Sequence, residues 1–148
     1  MTLLDITKRL TRDEEGRHFN FPFEVQMPAK ELIVKMSFTP DIYEDREKSV
    51  EIIREGLLKY TGIFDEEKIN NYLPLKNLLT VSVDSPHKCL GTAHRHQKEQ
   101  QHYINKRKAS RGFVPSEIMA GSWNITLSAH AIISEFIDVT LTAEAVYD

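Results

Sequence analysis

The sequence lacks several features that would assign it to particular classes of protein. It has one cysteine, Cys89, so it can form no internal disulfide, which is typical of a protein of the reducing cytoplasm. No stretch approaches the about 18 apolar residues of a membrane-spanning helix. The N-terminal residues include Asp5, Lys8 and Arg9 where a signal peptide needs an apolar run. We therefore expect a cytoplasmic protein that has no membrane partner.

The chain also lacks an excess of charge of one sign. Its net charge is −3 at pH 7, which argues against strong general attraction to nucleic acid. Hydrophobic residues make up 41% and charged residues 28% of the chain, a balance typical of globular rather than disordered proteins. A folded chain of this length buries roughly 68–70% of its extended surface. Residues 1–148 therefore predict one domain with a core of its own.

What the sequence does contain is strict alternation of apolar and polar residues, the period of a half-buried strand. The pattern runs through residues 19–25, 32–38, 79–83, 123–131 and 137–145. It is weaker in residues 4–10, and residues 90–104 have room for one or two more strands. Strands with one apolar face are buried most economically between two packed sheets. We predict an all-β antiparallel sandwich of about eight strands, resembling a jelly roll.

Residues 40–74 break this period and predict a helical insertion between two strands. Thr39 and Pro40 suit the N-cap and the first position of a helix, and residues 65–72 suit a second, shorter helix. The apolar positions of the first helix recur at helical spacing, at Val50, Ile53, Leu57 and Tyr60.

Four of the six histidines lie between His87 and His102, and His94-Arg95-His96 is the clearest candidate site among them. Residues two apart on a strand point to the same side with their Cα atoms about 6.6–6.8 Å apart, so two imidazoles can share one zinc ion. His102 on a facing strand would supply a third ligand. This hypothesis gives a small metal-dependent hydrolase that uses zinc or another divalent metal, and the alternative is a solvated hairpin that binds no metal.

The same region supports a hypothesis without catalysis. Guanidinium and imidazole groups together suit a small anionic or carboxylate-bearing ligand. The candidate ligand-binding residues are His94, Arg95, His96, His102 and Arg111.

A third hypothesis is weak binding of single-stranded nucleic acid. Residues 106–111 carry four basic side chains and are flanked by Tyr103 and Phe113. Phosphate neutralisation combined with base stacking on aromatic rings is how single strands are bound. In a chain of net charge −3 a solvated loop is the more ordinary interpretation.

Ser128, His130 and Glu144 are the residue types of a catalytic triad, but the sequence does not support the geometry of one. The first two residues lie on one predicted strand, with no nucleophile elbow and no oxyanion donors in the sequence around them. We therefore predict no catalytic residues here.

Three stretches of the chain carry a family resemblance. They are Phe21-Pro22-Phe23-Glu24-Val25 before Glu31-Leu32, Asn77-Leu78-Leu79-Thr80-Val81 running into His94-Arg95-His96, and Gly112-Phe113-Val114-Pro115 followed by Ala120-Gly121-Ser122-Trp123. Over residues 18–147 this order resembles the β-sandwich domain that precedes a PHP-type metallohydrolase domain in some bacterial proteins. It is more distantly similar to bacterial pre-peptidase C-terminal domains. The resemblance implies a sandwich fold and an accessory role beside a hydrolase.

The resemblance carries over no catalytic residue. His94-Arg95-His96 is superficially similar to the His-x-His that opens a PHP metal site, but that site takes further ligands from a barrel that residues 1–148 do not contain. We therefore expect a bacterial accessory module rather than an enzyme, without a required cofactor. Its expected partner is a protein such as a hydrolase, a second copy of the chain, or a small anionic ligand.

Overall fold

The computed structural model describes residues 1–60, 62, 69, 72–94 and 97–148. In chain order its helix and strands are β1 (Thr2–Thr11), β2 (His18–Val25), β3 (Glu31–Thr39), β4 (Ile42–Tyr43), α1 (Arg46–Tyr60), β5 (Leu75–Lys76), β6 (Leu78–Asp84), β7 (Cys89–Ala93), β8 (Glu99–Asn105), β9 (Gly121–Ala131) and β10 (Phe136–Val146). A short 3₁₀ turn, Arg12–Glu14, follows β1. Each of the strand segments predicted from alternation lies on one of these strands.

Eight of the strands form two four-stranded antiparallel sheets. Sheet A has the order β1-β10-β3-β8 and sheet B the order β2-β9-β6-β7. If only these eight strands are counted along the chain, the first pairs with the eighth, the second with the seventh, the third with the sixth and the fourth with the fifth. This nested pairing is that of a jelly roll, so the predicted fold is confirmed.

The core lies between the two sheets and consists of the inward-facing apolar side chains of the long strands. Trp123 is fully buried, its Nε1 donates to the Met119 carbonyl at 3.0 Å, and its ring stacks on Phe23 with the centroids 6.5 Å apart. A buried indole is stable only with such a partner for its N–H. Other side chains with no more than 1% exposure in this core include Leu10, Leu32, Met36, Leu79, Ile104, Ile125, Ile137 and Leu141.

The helix of the insertion begins later than the sequence predicts. Thr39 ends β3 and therefore does not cap a helix, and Asp45 does so instead: its Oδ1 accepts from the Lys48 N–H at 3.0 Å. The helix ends at Tyr60. In the described part of the chain, no helix is both long and apolar enough to cross a membrane.

A short two-stranded ribbon closes the base of the insertion and is not apparent from the sequence. In it, Ile42 pairs with Lys76 and Tyr43 with Leu75. Two residues per strand are too few to show a period of two. The predicted second helix, over residues 65–72, falls on positions of which only 69 and 72 are described, so it stays a prediction.

The side chain of Asn77 holds the insertion against the turn between β9 and β10. It is 1% exposed and lies between β5 and β6. Its amide nitrogen donates to the Pro40 carbonyl and to Ser134 Oγ, both at 2.9 Å. Its Oδ1 accepts from the N–H groups of Ile133 at 2.7 Å and of Ser134 at 3.2 Å. All four hydrogen bonds that an asparagine amide can make are therefore formed.

Replacing Asn77 with alanine is expected to lower the free energy of unfolding by about 3 kcal/mol, because it leaves several buried polar groups without partners. Urea denaturation measures the change. The matched control is Asn20→Ala on the exposed face of β2, for which the loss is expected to stay below about 1 kcal/mol. Equal losses in the two variants would contradict this role of Asn77.

Candidate functional site

Of the three histidines predicted to share a metal ion, the structure describes two, His94 and His102. His94 follows β7 and is exposed, whereas His102 lies in the middle of β8 and is 3% exposed. Arg95 and His96 lie outside the described residues, so their assignment to a ligand or metal site stays a prediction. No three histidine, cysteine, aspartate or glutamate side chains of the described positions are grouped so as to hold a metal ion.

His102 points into the protein and is paired there. Its Nε2 lies 2.9 Å from Gln100 Oε1, and the Gln100 amide nitrogen donates to the Gln97 carbonyl at 2.9 Å. Because the amide nitrogen is used on Gln97, the Gln100 oxygen faces His102 and the imidazole Nε2 is the donor. The ring of His102 also packs on Phe113, with the centroids 5.3 Å apart. Nε2 is therefore occupied within the chain.

The edges of both sheets are covered next to His102 by one segment, residues 108–116, which we call the edge segment. Beside β8, the Ser110 N–H donates to the Tyr103 carbonyl and Ser110 Oγ accepts from the Tyr103 N–H, both at 2.9 Å. Beside β7, the Val114 N–H donates to the Leu90 carbonyl at 2.9 Å. Since β7 and β8 are edge strands of different sheets, the edge segment joins the two sheets along this side.

The edge segment approaches β7 so closely that two glycines are required. Gly91 has φ +132° and Gly112 has φ +96°, both in the region that favours glycine. A Cβ on Gly91 would lie 2.0 Å from the Gly112 carbonyl oxygen, and a Cβ on Gly112 would lie 2.6 Å from the Thr92 carbonyl oxygen. Arg111 directly precedes Gly112 in this contact.

Between β8 and the edge segment lies a shallow polar concavity of about 330 Å³. The described residues that line it include Gln97, Glu99, Gln100, His102, Ser110 and Arg111. The structure therefore brings together two of the five predicted ligand-binding residues, His102 and Arg111, whereas His94 does not line the concavity. Among the described residues, no carboxylate lies within ion-pair distance of Arg111.

The basic residues 106–111 form a tight turn at the end of β8. The Asn105 side chain accepts from the N–H groups of Arg107 and Lys108 at 2.9 Å each, which sets the turn. Phe113 is 8% exposed and packs into the core, so it presents no ring to a base. The Lys108 ammonium lies over the ring of Tyr103, 5.7 Å from its centroid. The aromatic half of the nucleic-acid hypothesis therefore has little exposed surface.

The outer face of sheet B carries paired hydroxyl and imidazole groups that sequence reasoning missed. His18 Nδ1 lies 2.7 Å from Ser128 Oγ, and His130 Nε2 lies 2.8 Å from Thr80 Oγ1. Glu144, the acid of the hypothetical triad, lies on β10 in the other sheet. The alternation of residues 123–131 placed Ser128 and His130 on the polar face, but only the strand register shows that His18 and Thr80 are their partners.

Two comparisons with known proteins found no match. No model of a protein family matches the chain, and no curated protein matches it. The geometry of the described residues is therefore the basis for assigning a function.

Replacing Gly91 with alanine is expected to lower the free energy of unfolding by more than about 3 kcal/mol, because the new methyl group would collide with backbone rather than with a flexible side chain. The control is Gly56→Ala in α1, where no heavy atom beyond its chain neighbours and the local helix backbone lies within 4 Å of the added Cβ. There alanine is expected to stabilise the protein by about 0.5–1 kcal/mol. Chemical denaturation of both variants tests the prediction, and a Gly91 variant as stable as the wild type would contradict the close contact.

Proposed function

We propose that this protein is a non-catalytic binding module and that the concavity beside β8 takes a small carboxylate-bearing ligand. The observation that carries the proposal is that Arg111 lines the same concavity as the buried Gln100–His102 pair. A guanidinium binds a carboxylate through two parallel hydrogen bonds, and amide and hydroxyl groups beside it add directional contacts. Gln97 and Ser110 supply such groups.

Glu99 narrows the chemistry of the proposed ligand. Glu99 lines the concavity together with Arg111, so a ligand that carries several anionic groups and no hydrogen-bond donor would be repelled by the Glu99 carboxylate. A hydroxyl group can donate to Glu99 while a carboxylate binds Arg111. A small hydroxy acid therefore fits the site better than inorganic phosphate or a polyanion.

The contacts of the hydroxyl groups argue against catalysis. The Ser128 hydroxyl is hydrogen-bonded to His18 of the neighbouring strand, and the Thr80 hydroxyl is hydrogen-bonded to His130 in the same way. A hydrolytic nucleophile needs a base, a group that orients the base and donors for the oxyanion. A hydroxyl–imidazole pair across two strands on the face of a sheet provides only the base.

The accessory role beside a hydrolase is supported by the sequence resemblance and by the jelly-roll sandwich, which is the fold that the resemblance implies. In this proposal the module belongs to a bacterial protein system in which the hydrolytic chemistry is done elsewhere. The concavity then brings a carboxylate-bearing molecule to that enzyme or senses it.

The prediction is that lactate, a hydroxy acid with one carboxylate, binds to the wild type and that Arg111→Gln weakens this binding at least about tenfold, because a charge-assisted bidentate contact is lost. Isothermal titration calorimetry measures the affinity of each protein for lactate and for propionate, which lacks the hydroxyl group and should bind more weakly. Arg107→Gln is the matched control: this arginine belongs to the adjacent turn but does not line the concavity, so its variant should bind as the wild type does.

Other outcomes would overturn the proposal. Stoichiometric zinc, iron or manganese in natively purified protein, lost in His94→Ala, would favour the metal-dependent hydrolase. Salt-sensitive binding of an oligothymidylate that weakens in Lys106→Ala would favour nucleic-acid binding. Lactate affinity that is unchanged in Arg111→Gln would place the ligand at another site.

A further inference from the structure

We propose that the free edge of β1 pairs with β1 of a second copy, so that two sheets A join into one eight-stranded sheet about a two-fold axis at Thr7. This surface lies on the far side of sheet A from the concavity and does not depend on the proposed ligand. An antiparallel strand pair of this kind is an isologous interface, in which the same residues meet from both sides.

The backbone groups of β1 point alternately toward β10 and toward the open edge. Met1 and Ala145 exchange both of their hydrogen bonds, at 2.8 and 2.9 Å, so the odd-numbered residues of β10 point toward β1. The strand register then turns Leu4, Ile6 and Lys8 toward β10.

The residues between them point the other way. Asp5, Thr7 and Arg9 therefore have their N–H and C=O groups on the open edge. In the described part of the chain, no backbone group outside the sheet bonds to them. At the end of β1 the next edge N–H, that of Thr11, is bound by Glu14 Oε1 at 3.0 Å, which leaves the middle of the strand as the open stretch.

The other three sheet edges are protected. Directly before β2, the Arg17 carbonyl accepts from the Ala129 N–H, so the odd-numbered residues of β2 point their backbone groups toward β9. Pro22 is even-numbered and therefore lies on the open side, where it has no N–H to donate to a partner strand. The edges of β7 and β8 are bonded to the edge segment. Natural proteins cover the backbone groups of sheet edges to prevent strand pairing, so an edge whose backbone groups are uncovered over this length is available to pair with another strand.

Charge complementarity selects the register. With Thr7 opposite the partner's Thr7, Asp5 lies opposite the partner's Arg9, and the same pair recurs on the other side of the axis. These are hydrogen-bonded positions, so all three residues of each copy exchange backbone hydrogen bonds with the second copy. Cross-strand pairs of opposite charge stabilise such a register, and like charges destabilise it.

Arg9 has donors left for this contact. Its Nε and Nη2 bond to Asp138 at 2.8 and 3.1 Å, which leaves Nη1 for a second carboxylate. The pair with Arg9 lowers the pKa of Asp138 from its usual value, so the guanidinium stays held in place at neutral pH.

The core-facing side of the edge also fits a second strand. Leu4 and Ile6 are half-buried there and pack against the core, as Phe19 and Phe21 of β2 do. The Lys8 ammonium lies over the ring of Phe19, 4.9 Å from its centroid, so it lies along its own chain instead of blocking the edge. A second β1 would remove more of this apolar surface from water.

The first test is the mass of the full chain by sedimentation or light scattering over a concentration series. The proposal expects a shift from 17.1 kDa to twice that value. Thr7→Pro removes an edge N–H and puts a ring on the axis, so it should weaken dimerisation at least about tenfold. Thr7→Val, which keeps the N–H and the strand propensity, should dimerise as the wild type does.

A charge exchange tests the register itself. In Asp5→Arg alone each introduced arginine would face the partner's Arg9, and in Arg9→Asp alone each introduced aspartate would face the partner's Asp5, so both variants should be monomers. Mixed in equal amounts, the two variants restore two opposite-charge pairs and should form a heterodimer. A wild type that stays at 17.1 kDa at every concentration, or a dimer that Thr7→Pro leaves unchanged, would overturn the proposal.

Discussion

Eight strands with one apolar face each can bury those faces only against one another, and the rest of the structure follows from this constraint. The nested pairing of first strand with last and second with seventh lets the chain close both sheets over a common core. It also brings residues from opposite ends of the chain into register, such as His18 with Ser128 and Arg9 with Asp138. The polar pairs on the outer faces are therefore consequences of the pairing that buries the core.

The same pairing leaves four edge strands in the two sheets, and these edges are covered to different extents. One side of the sandwich is closed by the edge segment, whose contact with β7 requires Gly91 and Gly112. The concavity beside β8 lies where this segment crosses from one sheet to the other, between the segment and Gln100 and His102 of β8. On the opposite side, β2 is protected by Pro22, whereas the middle of β1 is open. The candidate ligand site and the candidate pairing surface both arise from the way the sheets end.

The fold could be predicted from the sequence because a period of two reports burial directly. The alternating apolar positions that begin at Phe19, Leu32, Trp123 and Ile137 each identified a strand and the face of it that packs in the core. The insertion was located because this alternation stops there. The ribbon of β4 and β5 and the helix cap at Asp45 could not be found in this way. A two-residue strand has no period, and a cap depends on where the preceding strand ends, which the sequence does not mark.

The site was predicted less completely, for a related reason. In β8 one alternating row contains Ile104 with Gln100 and His102, and the other contains Tyr103, so each row has one apolar residue and the pattern does not decide which faces inward. The structure turns His102 inward, with Gln100 and Ile104. Phe113 looked like a flanking aromatic ring and is instead the residue on which His102 packs. Partners of this kind come from tertiary contacts, which no local pattern reports.

The two proposed surfaces do not compete, because sheet A separates them. Its order, β1-β10-β3-β8, puts the open edge at one end and the concavity at the other. Pairing through β1 would therefore leave a concavity at each outer end of the joined sheet, with both sites open to solvent. The strands between them, β10 and β3, direct an unbroken row of buried side chains into the close-packed core, which holds the two sites at a fixed separation. A dimer of this geometry presents two equivalent sites pointing away from one another, and two ligands or two partner molecules can then bind without contact between them.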